Sequence, residues 1–495
     1  MSALTALARV EAVAIGRARP IATVRHVHLA DRPLVVVPLA LAGEANAPLA
    51  ALVGTAEDSP TLLVVPQPRN RDQRFAFATL FAAHVLPHVT GYRGATEIVP
   101  GGRGKPDRQR ALDAPQLLVP NSGGVAFLKL FGRSTRFRRI DGPYPVDPSV
   151  PLLGRWLTFF AERAEHPGSC LLLAMTEALA LHWATGQSAL EDANLAALLG
   201  WIDPPPGMTG AQAAAAAEDP STSPPAGPTT DPTFDNEILA PAIEAYQRSA
   251  GDAAATRRAL AHLESVLYSQ LEPTWRLMWR GVDMLRGLPP GASVAARWTE
   301  DRDAYTFFAA HLDEGGPPQP RRDGAVAAAA RLHRLEQAAM TYQAQRAFDD
   351  PLVMAEYRLT GEAFAGEVVS VDAARVVGEG RSRKLRPLVT VRSVDPVRPV
   401  PGTKLRCPEF PRQTGVVVDV DGADVVLELS GGMGNVRVAP AGTIPEVGQR
   451  VVYSSAFDDY QAVATWPASE ETPWTHGGPP PDYQPTDEDA TEEWS

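Results

Sequence analysis

Apolar positions along this chain follow two periods, and the changeovers between them divide it into regions. Up to about Ile202 the two are mixed. The runs IATVRHVHL (21–29) and RPLVVVPLAL (32–41) are short, rich in β-branched residues and strand-like. TLLVVPQPRNRDQRFAFATLFAAHVLPHV (61–89) predicts a buried strand, a loop and an amphipathic helix that Pro87 ends. PQLLVPNSGGVAFLKLFGRSTRF (115–137) repeats that logic, with Asn121 or Ser122 placed to cap the helix. Two strand-then-helix units predict an α/β layer. From Val150 to Ile202, and again from Phe234 to about Glu356, apolar residues recur at helical spacing. Within the second stretch, Trp275, Met278, Trp279, Val282 and Leu285 form a core-type stripe.

Beyond Leu359 the period drops to two. AGEVVSVDAARVV, RPLVTVRSV, TGVVVDVDGADVVLEL and QRVVYSSA predict at least five short strands with Gly and Asp turns, a small antiparallel barrel. In the third of these, Val416, Val418 and Val420 share one face, while Val417, Asp419 and Asp421 share the other. The expected fold class is multidomain α+β: an N-terminal α/β layer (1–202, helical at its end), a helical middle region (234–357) and a C-terminal small antiparallel β-barrel (358–466). Residues 203–233, rich in Pro, Ala, Ser and Thr, read as a disordered linker, and 467–495 as a disordered acidic tail. DEGGPPQPRRD (313–323) is a shorter break.

With 495 residues, 44% of them hydrophobic, the chain can bury large cores. Its net charge of −12 excludes a protein that coats DNA by overall charge, and leaves room for a local basic patch. Lysine occurs only at Lys105, Lys129, Lys384 and Lys404, a bias toward arginine that fits a GC-rich bacterial genome. Two cysteines, Cys170 and Cys407, are too few for a disulfide framework or a four-thiolate zinc site. Charges interrupt the apolar residues of the first twenty positions and the segment around Cys170, so neither reads as a secretory signal or a membrane span; a cytoplasmic protein is expected.

Two places concentrate positive charge. Around the predicted barrel lie Arg381, Arg383, Lys384, Arg386, Lys404, Arg406 and Arg412, with few acids among them. Such a cluster suits a phosphate backbone; its bland reading is a solvated loop that balances the acidic tail, even within the molecule. The second place is the pair of strand-to-helix junctions. Arg69, Arg71 and Arg74 sit at one, where cations oppose the helix dipole and a bound anion would relieve them. Asn121 and Ser122 start the other, where backbone N–H groups also suit an anion. Arg133, Arg136, Arg138 and Arg139 follow it. The bland reading pairs these arginines with Asp72, Asp141 and other local acids.

His84 and His88 share a helical face without the HExxH pattern, and His26 and His28 alternate on a strand, so no metal site is expected. GGRGKP (101–106) lacks the distal glycine and the Ser/Thr of a phosphate-binding loop, and no nucleophile elbow, dinucleotide fingerprint or kinase set occurs. No catalytic residue and no cofactor is therefore assigned.

The run YRLTGEAFAGEVVSV…PGTKLRCPEFPRQTGVVVDVDGADVVLELSGG…VGQRVVYSSA, following a long helical region, resembles the stalk-plus-barrel insertion of superfamily-1 helicases of the Upf1/DNA2 type. The resemblance covers about the last third of the chain and does not extend to the motor motifs. The whole chain is also similar to uncharacterised proteins of high-GC Gram-positive bacteria. Together with the basic cluster, the helicase resemblance leads to the expectation of a non-catalytic protein. It would bind nucleic acid, or serve a separate nucleic-acid-processing ATPase or helicase, away from any membrane. The alternatives are an enzyme acting on an anionic or phosphorylated substrate at the N-terminal junctions, and a pure scaffold.

Overall fold

The computed structural model describes residues 2–41, 47–102, 104, 106–221, 223–378, 383–434, 436, 438–455 and 465–467. It is a mixed α+β structure with a curled antiparallel sheet in its C-terminal region. After an N-terminal helix α1 (Ala3–Ile15), three strands β1 (Leu34–Ala40), β2 (Pro48–Gly54) and β3 (Thr61–Val64) form an antiparallel meander, followed by helix α2 (Arg71–Thr90). A hairpin of β4 (Thr96–Val99) and β5 (Arg108–Ala111) stands apart. Then come β6 (Leu117–Val119), α3 (Ser122–Thr135), α4 (Ser149–Ala164), β7 (Leu172–Ala174) and α5 (Met175–Ala180). The central sheet has the order β3-β2-β1-β6-β7, and the β1/β6 and β6/β7 pairs are parallel.

Strand β1, LVVVPLA, is buried at every position but its last, as is β2, so both faces of the sheet are covered rather than one. Helices α2, α3 and α4 pack against the sheet and against each other. The other cover comes from the predicted helical middle. After α6 (Leu195–Ile202), α7 (Gly210–Glu218) and α8 (Ala240–Arg248), the long helix α9 (Ala253–Arg286) crosses β1, β2 and β3. Its stripe Leu263, Leu267, Leu271, Trp275, Met278, Val282 and Leu285 is sealed into the same core as Val36, Leu52 and Leu118. The Trp275 indole donates to the Glu57 carbonyl at 2.8 Å, seating α9 on the β2–β3 turn. The middle region is therefore not a separate unit: α9 and α10 (Val294–Asp313) complete the α/β layer.

The segment 203–233, expected as a disordered linker, is built into the body. Thr209 and Gln212 form a capping box that starts α7, which packs on α6. Ala226 and Thr230 are buried. Ala40 donates to the Pro228 carbonyl at 2.7 Å, and the Asn121 side chain donates to Ala226 at 3.2 Å. Composition missed this because the segment contributes backbone hydrogen bonds and small side chains rather than apolar bulk. The same contact explains Pro38 inside a central strand. Ala40, two residues on, points its N–H toward Pro228, so the missing Pro38 donor faces that segment and not β2. Pro87 does not end α2 either; the helix runs through it to Thr90.

Helix α11 (Ala325–Asp349) carries few buried residues and leads into α12 (Pro351–Thr360). The barrel strands are β8 (Ala363–Asp372), a two-residue ribbon of β9 (Val376–Val377) and β10 (Lys384–Leu385), then β11 (Leu388–Ser393), β12 (Lys404–Leu405), β13 (Thr414–Asp421), β14 (Asp424–Ser430) and β15 (Arg450–Ser454). Six of them form one antiparallel sheet, ordered β12-β13-β14-β11-β8-β15. It curls until its edges meet at the bridge between Arg406 and Ser454, which exchange two backbone hydrogen bonds of 2.9 Å. Strand β14 alternates strictly, with Val425, Leu427 and Leu429 inside. On β13 a bulge between Val417 and Asp419 shifts the phase, so Val417 and Val420 both meet the core and Val418 faces water. The sequence pattern alone had put Val417 and Val420 on opposite faces. This barrel core is distinct from that of the body.

Two adjacent aspartates root the barrel arm in the body. Asp349 accepts from the Ser293 backbone at 3.1 Å. Asp350, buried, caps α12 through Leu352 and accepts from the Thr23 amide at 2.6 Å and its hydroxyl at 3.1 Å. His26 Nε2 lies 3.5 Å from the same carboxylate.

A candidate anion-binding surface

The barrel cations were the first candidates. Arg381 lies outside the described residues. Arg383 and Lys384 are exposed at the β9–β10 ribbon, and Arg412 is exposed in the loop before β13. Lys404 and Arg406 lie instead at the seam of the barrel. Arg386 stands 3.8 Å from Glu428, which also receives Arg375 at 2.7 Å. Two further arginines are held in forks: Arg392 by Asp424 at 2.8 and 2.9 Å, and Arg358 by Asp395 at 2.7 and 2.9 Å. Glu428 and Asp424 both come from β14, so the charges of Arg375, Arg386 and Arg392 are offset from across the sheet.

The junction set divides. Strands β3 and β6 are separated by β2 and β1, about 14 Å at three inter-strand spacings, which keeps Asn121 and Ser122 away from Arg69, Arg71 and Arg74. Asn121 is used up structurally: its carbonyl oxygen accepts from Gly124, and its amide donates to Ala193 and Ala226. Chain reversal in the sheet order makes the carboxyl ends of β1 and β6 the place where an open α/β sheet usually takes a ligand. Here the 226–230 segment fills it, with the Pro228 ring against Gly123.

The arginines meet something else. Arg71 lies over the Phe75 ring at 4.6 Å and over Tyr144 at 5.5 Å, and donates to the Tyr144 carbonyl at 3.1 Å. Arg138, just past the end of α3, lies over Phe75 as well, at 5.2 Å. Next to it, Phe137 takes Arg136 at 4.6 Å and Arg321 at 5.6 Å. Each ring thus lies within cation–π distance of two guanidinium groups, an attraction that restrains both. The break at 313–323 is pinned onto this face by arginine forks. Arg136 donates to the Gln319 and Pro320 carbonyls at 2.9 and 3.0 Å, and Arg155 to Gly316. Arg74, Arg136 and Arg138 are buried, while Arg69, Arg133, Arg139, Arg321 and Arg322 are exposed.

The local ion pairs expected from the sequence are present at Arg71–Asp72 (3.2 Å) and Arg139–Asp141 (3.1 Å). Both aspartates are mostly exposed, and such pairs contribute little. The face continues into a cleft of about 260 Å³ where Lys129, Arg133, Arg136, Arg321 and Arg331 outnumber Glu162, Glu165 and Asp323. Burial pushes the Glu162 carboxyl above its usual range, against the pull of Arg331 and Arg136. Beyond the Lys129–Glu165 pair, a mostly apolar groove of about 410 Å³ runs along α3 to Leu181 and Tyr342.

Sequence reasoning had the arginines but missed Phe75, Phe137, Tyr144 and Arg321. The signal was present in QRF and RFRR, where aromatics and arginines adjoin, and in the two arginines that end PPQPRR. Burial pushes the Cys170 thiol up to about 12, with the Asp301 carboxylate acting in the same direction. Burial lowers His88 and His182 to about 4 each. Among the described residues no group of three His, Cys, Asp or Glu side chains is arranged to hold a metal ion. No described helix is long and apolar enough to cross a membrane. Comparison with protein-family models, with curated proteins and with solved structures finds no match for this chain.

Proposed function

We propose that this protein is a non-catalytic nucleic-acid-binding protein whose main phosphate-gripping surface is the arginine–aromatic face at the start of α2 and the end of α3. One observation carries the reading: Phe75 seats both Arg71 and Arg138, and Phe137 seats both Arg136 and Arg321. Of these four, Arg71 and Arg321 reach solvent, and guanidinium groups fixed in this way lose little side-chain freedom when they meet a phosphate, while the buried Arg136 and Arg138 hold the face together. The interaction is backbone-directed, not sequence-reading. The exposed Arg383 and Lys384 of the barrel ribbon are a secondary contact. In this reading the barrel is an arm carried on α11 and α12, offered to a separate motor ATPase as the helicase resemblance implies. The competing enzyme reading loses the crevice it needs, since the 226–230 segment fills it.

The test is fluorescence anisotropy with short single-stranded and duplex oligonucleotides over a salt series. Arg71→Glu with Arg321→Glu should weaken binding at least about tenfold and flatten the salt dependence by roughly 1.4 log units per log unit for a single strand. Arg383→Glu with Lys384→Glu should cost about threefold or less. Binding that is absent, insensitive to salt, or lost only with the barrel pair would refute the assignment.

A further inference from the structure

The described chain does not leave the molecule at the barrel. After β15 it reappears at residues 465–467, where the Trp466 ring packs edge-on against His333 of α11, with centroids 6.0 Å apart. His333 lies two residues past Arg331, which lines the cationic cleft. It stands about 12 Å along the helix from the start of α11, just beyond Arg321 and Arg322. Residues 468–495 continue from that point. They contain Glu470, Glu471, Asp482, Asp487, Glu488, Asp489, Glu492 and Glu493, no lysine or arginine, and the aromatics Trp474, Tyr483 and Trp494. Their structure lies outside the described residues.

We propose that residues 468–495 dock on the arginine–aromatic face and act as an intramolecular mimic of the nucleic-acid backbone, so that nucleic acid must displace them to bind. The proposal rests on the function assigned above and adds a regulatory element to it. Three features support it. The segment starts on α11, the helix that also carries Arg331, and at about 3.3 Å per residue it is long enough to reach round that helix and cross the whole face. Its charge is of one sign and opposite to that of Lys129, Arg133, Arg136, Arg321 and Arg331. It also mixes aromatics with acids, matching a track that passes from cationic cleft to apolar groove at the Lys129–Glu165 pair. Tethering supplies a high effective concentration, up to the millimolar range for a short flexible connection, so even weak docking would compete.

The experiment keeps the full chain and removes only charge, with Asp482→Asn, Asp487→Asn, Glu488→Gln, Asp489→Asn, Glu492→Gln and Glu493→Gln made together. A short single-stranded oligonucleotide and a labelled peptide of the native 468–495 sequence are the two probes. The neutralised chain is expected to bind the oligonucleotide about tenfold more tightly than the native chain. It should also bind the peptide in a salt-sensitive way, lost on Arg133→Glu with Arg321→Glu. Equal oligonucleotide affinity in both chains with no peptide binding would overturn the docking while leaving the nucleic-acid assignment standing. Peptide binding with no oligonucleotide binding in either chain would uphold the docking and overturn that assignment.

Discussion

The barrel and the α/β body are both rich in arginine, yet they use it in opposite ways. On the barrel the guanidinium groups of Arg358 and Arg392 lie in two-pronged contacts with Asp395 and Asp424, and Arg375 and Arg386 share Glu428. On the body face Arg71 and Arg139 also meet aspartates, but rings and backbone carbonyls add to the contacts there: Phe75, Phe137, Tyr144 and the 316–320 turn. A carboxylate cancels a guanidinium charge, whereas a ring or a carbonyl orients it and leaves the field intact. The same residue type is therefore held by carboxylates at these positions of the barrel and by rings and carbonyls as well as carboxylates on the body face.

The strongest way to break this comparison is to cut the joint between the regions. Asp350→Ala removes a buried carboxylate that receives Thr23, Leu352 and His26, and should cost about 3–5 kcal/mol. Because the segment 363–454 contains no tryptophan, indole fluorescence reports the body and far-ultraviolet dichroism reports both cores. The loss should show in fluorescence, with the barrel transition kept. A common fall of both transitions would mean that the regions are one cooperative unit. Burial alone would raise the Asp350 carboxyl, but the hydrogen bonds from His26 and the Thr23, Leu352 and Val24 backbones hold it below its usual range. Its contribution is thus fully present above the ordinary aspartate value and fades as pH falls through the lower, native-state one.

A smaller effect is expected at the barrel. Asp395→Ala deletes the Arg358 fork and a 2.7 Å bond from the Ala365 amide, a loss of about 2 kcal/mol confined to the barrel transition. The Arg358 hydrogen bonds hold the Asp395 carboxyl below the usual range, so native and variant melting curves should converge only in acid, under the ordinary aspartate value near pH 3.9. Convergence near neutrality would show that the fork contributes nothing. The smallest change belongs to the body face. Phe75→Leu keeps apolar bulk but removes the ring under Arg71 and Arg138, with about 1 kcal/mol lost in stability and a threefold fall in oligonucleotide affinity. Unchanged affinity would demote the aromatic seats to packing.

Much of the fold was legible because it rests on local rules. Asn121 announced the start of α3, the Leu263-to-Leu285 stripe announced a buried helix, and VVLEL announced an alternating strand. The linker prediction failed where composition was a poor guide. Residues 226–230 are held by hydrogen bonds to Ala40 and Asn121, residues far away in sequence. Part of the candidate site was legible as well: the arginines of α2 and α3 stood out, but their aromatic partners did not, because Arg321 reaches Phe137 across a sequence gap of well over a hundred residues.

Alone, the sequence determined where helices and strands form and how much charge each stretch carries, since periodicity, capping and composition are properties of neighbours along the chain. The tertiary structure decided which charges survive. An arginine's field depends on whether folding places a carboxylate or a ring against it, and those partners arrive from other strands, other helices and the turn between α10 and α11. The same folding placed the 226–230 segment over the sheet's natural ligand crevice and left the arginine–aromatic face as the cationic surface of an acidic protein.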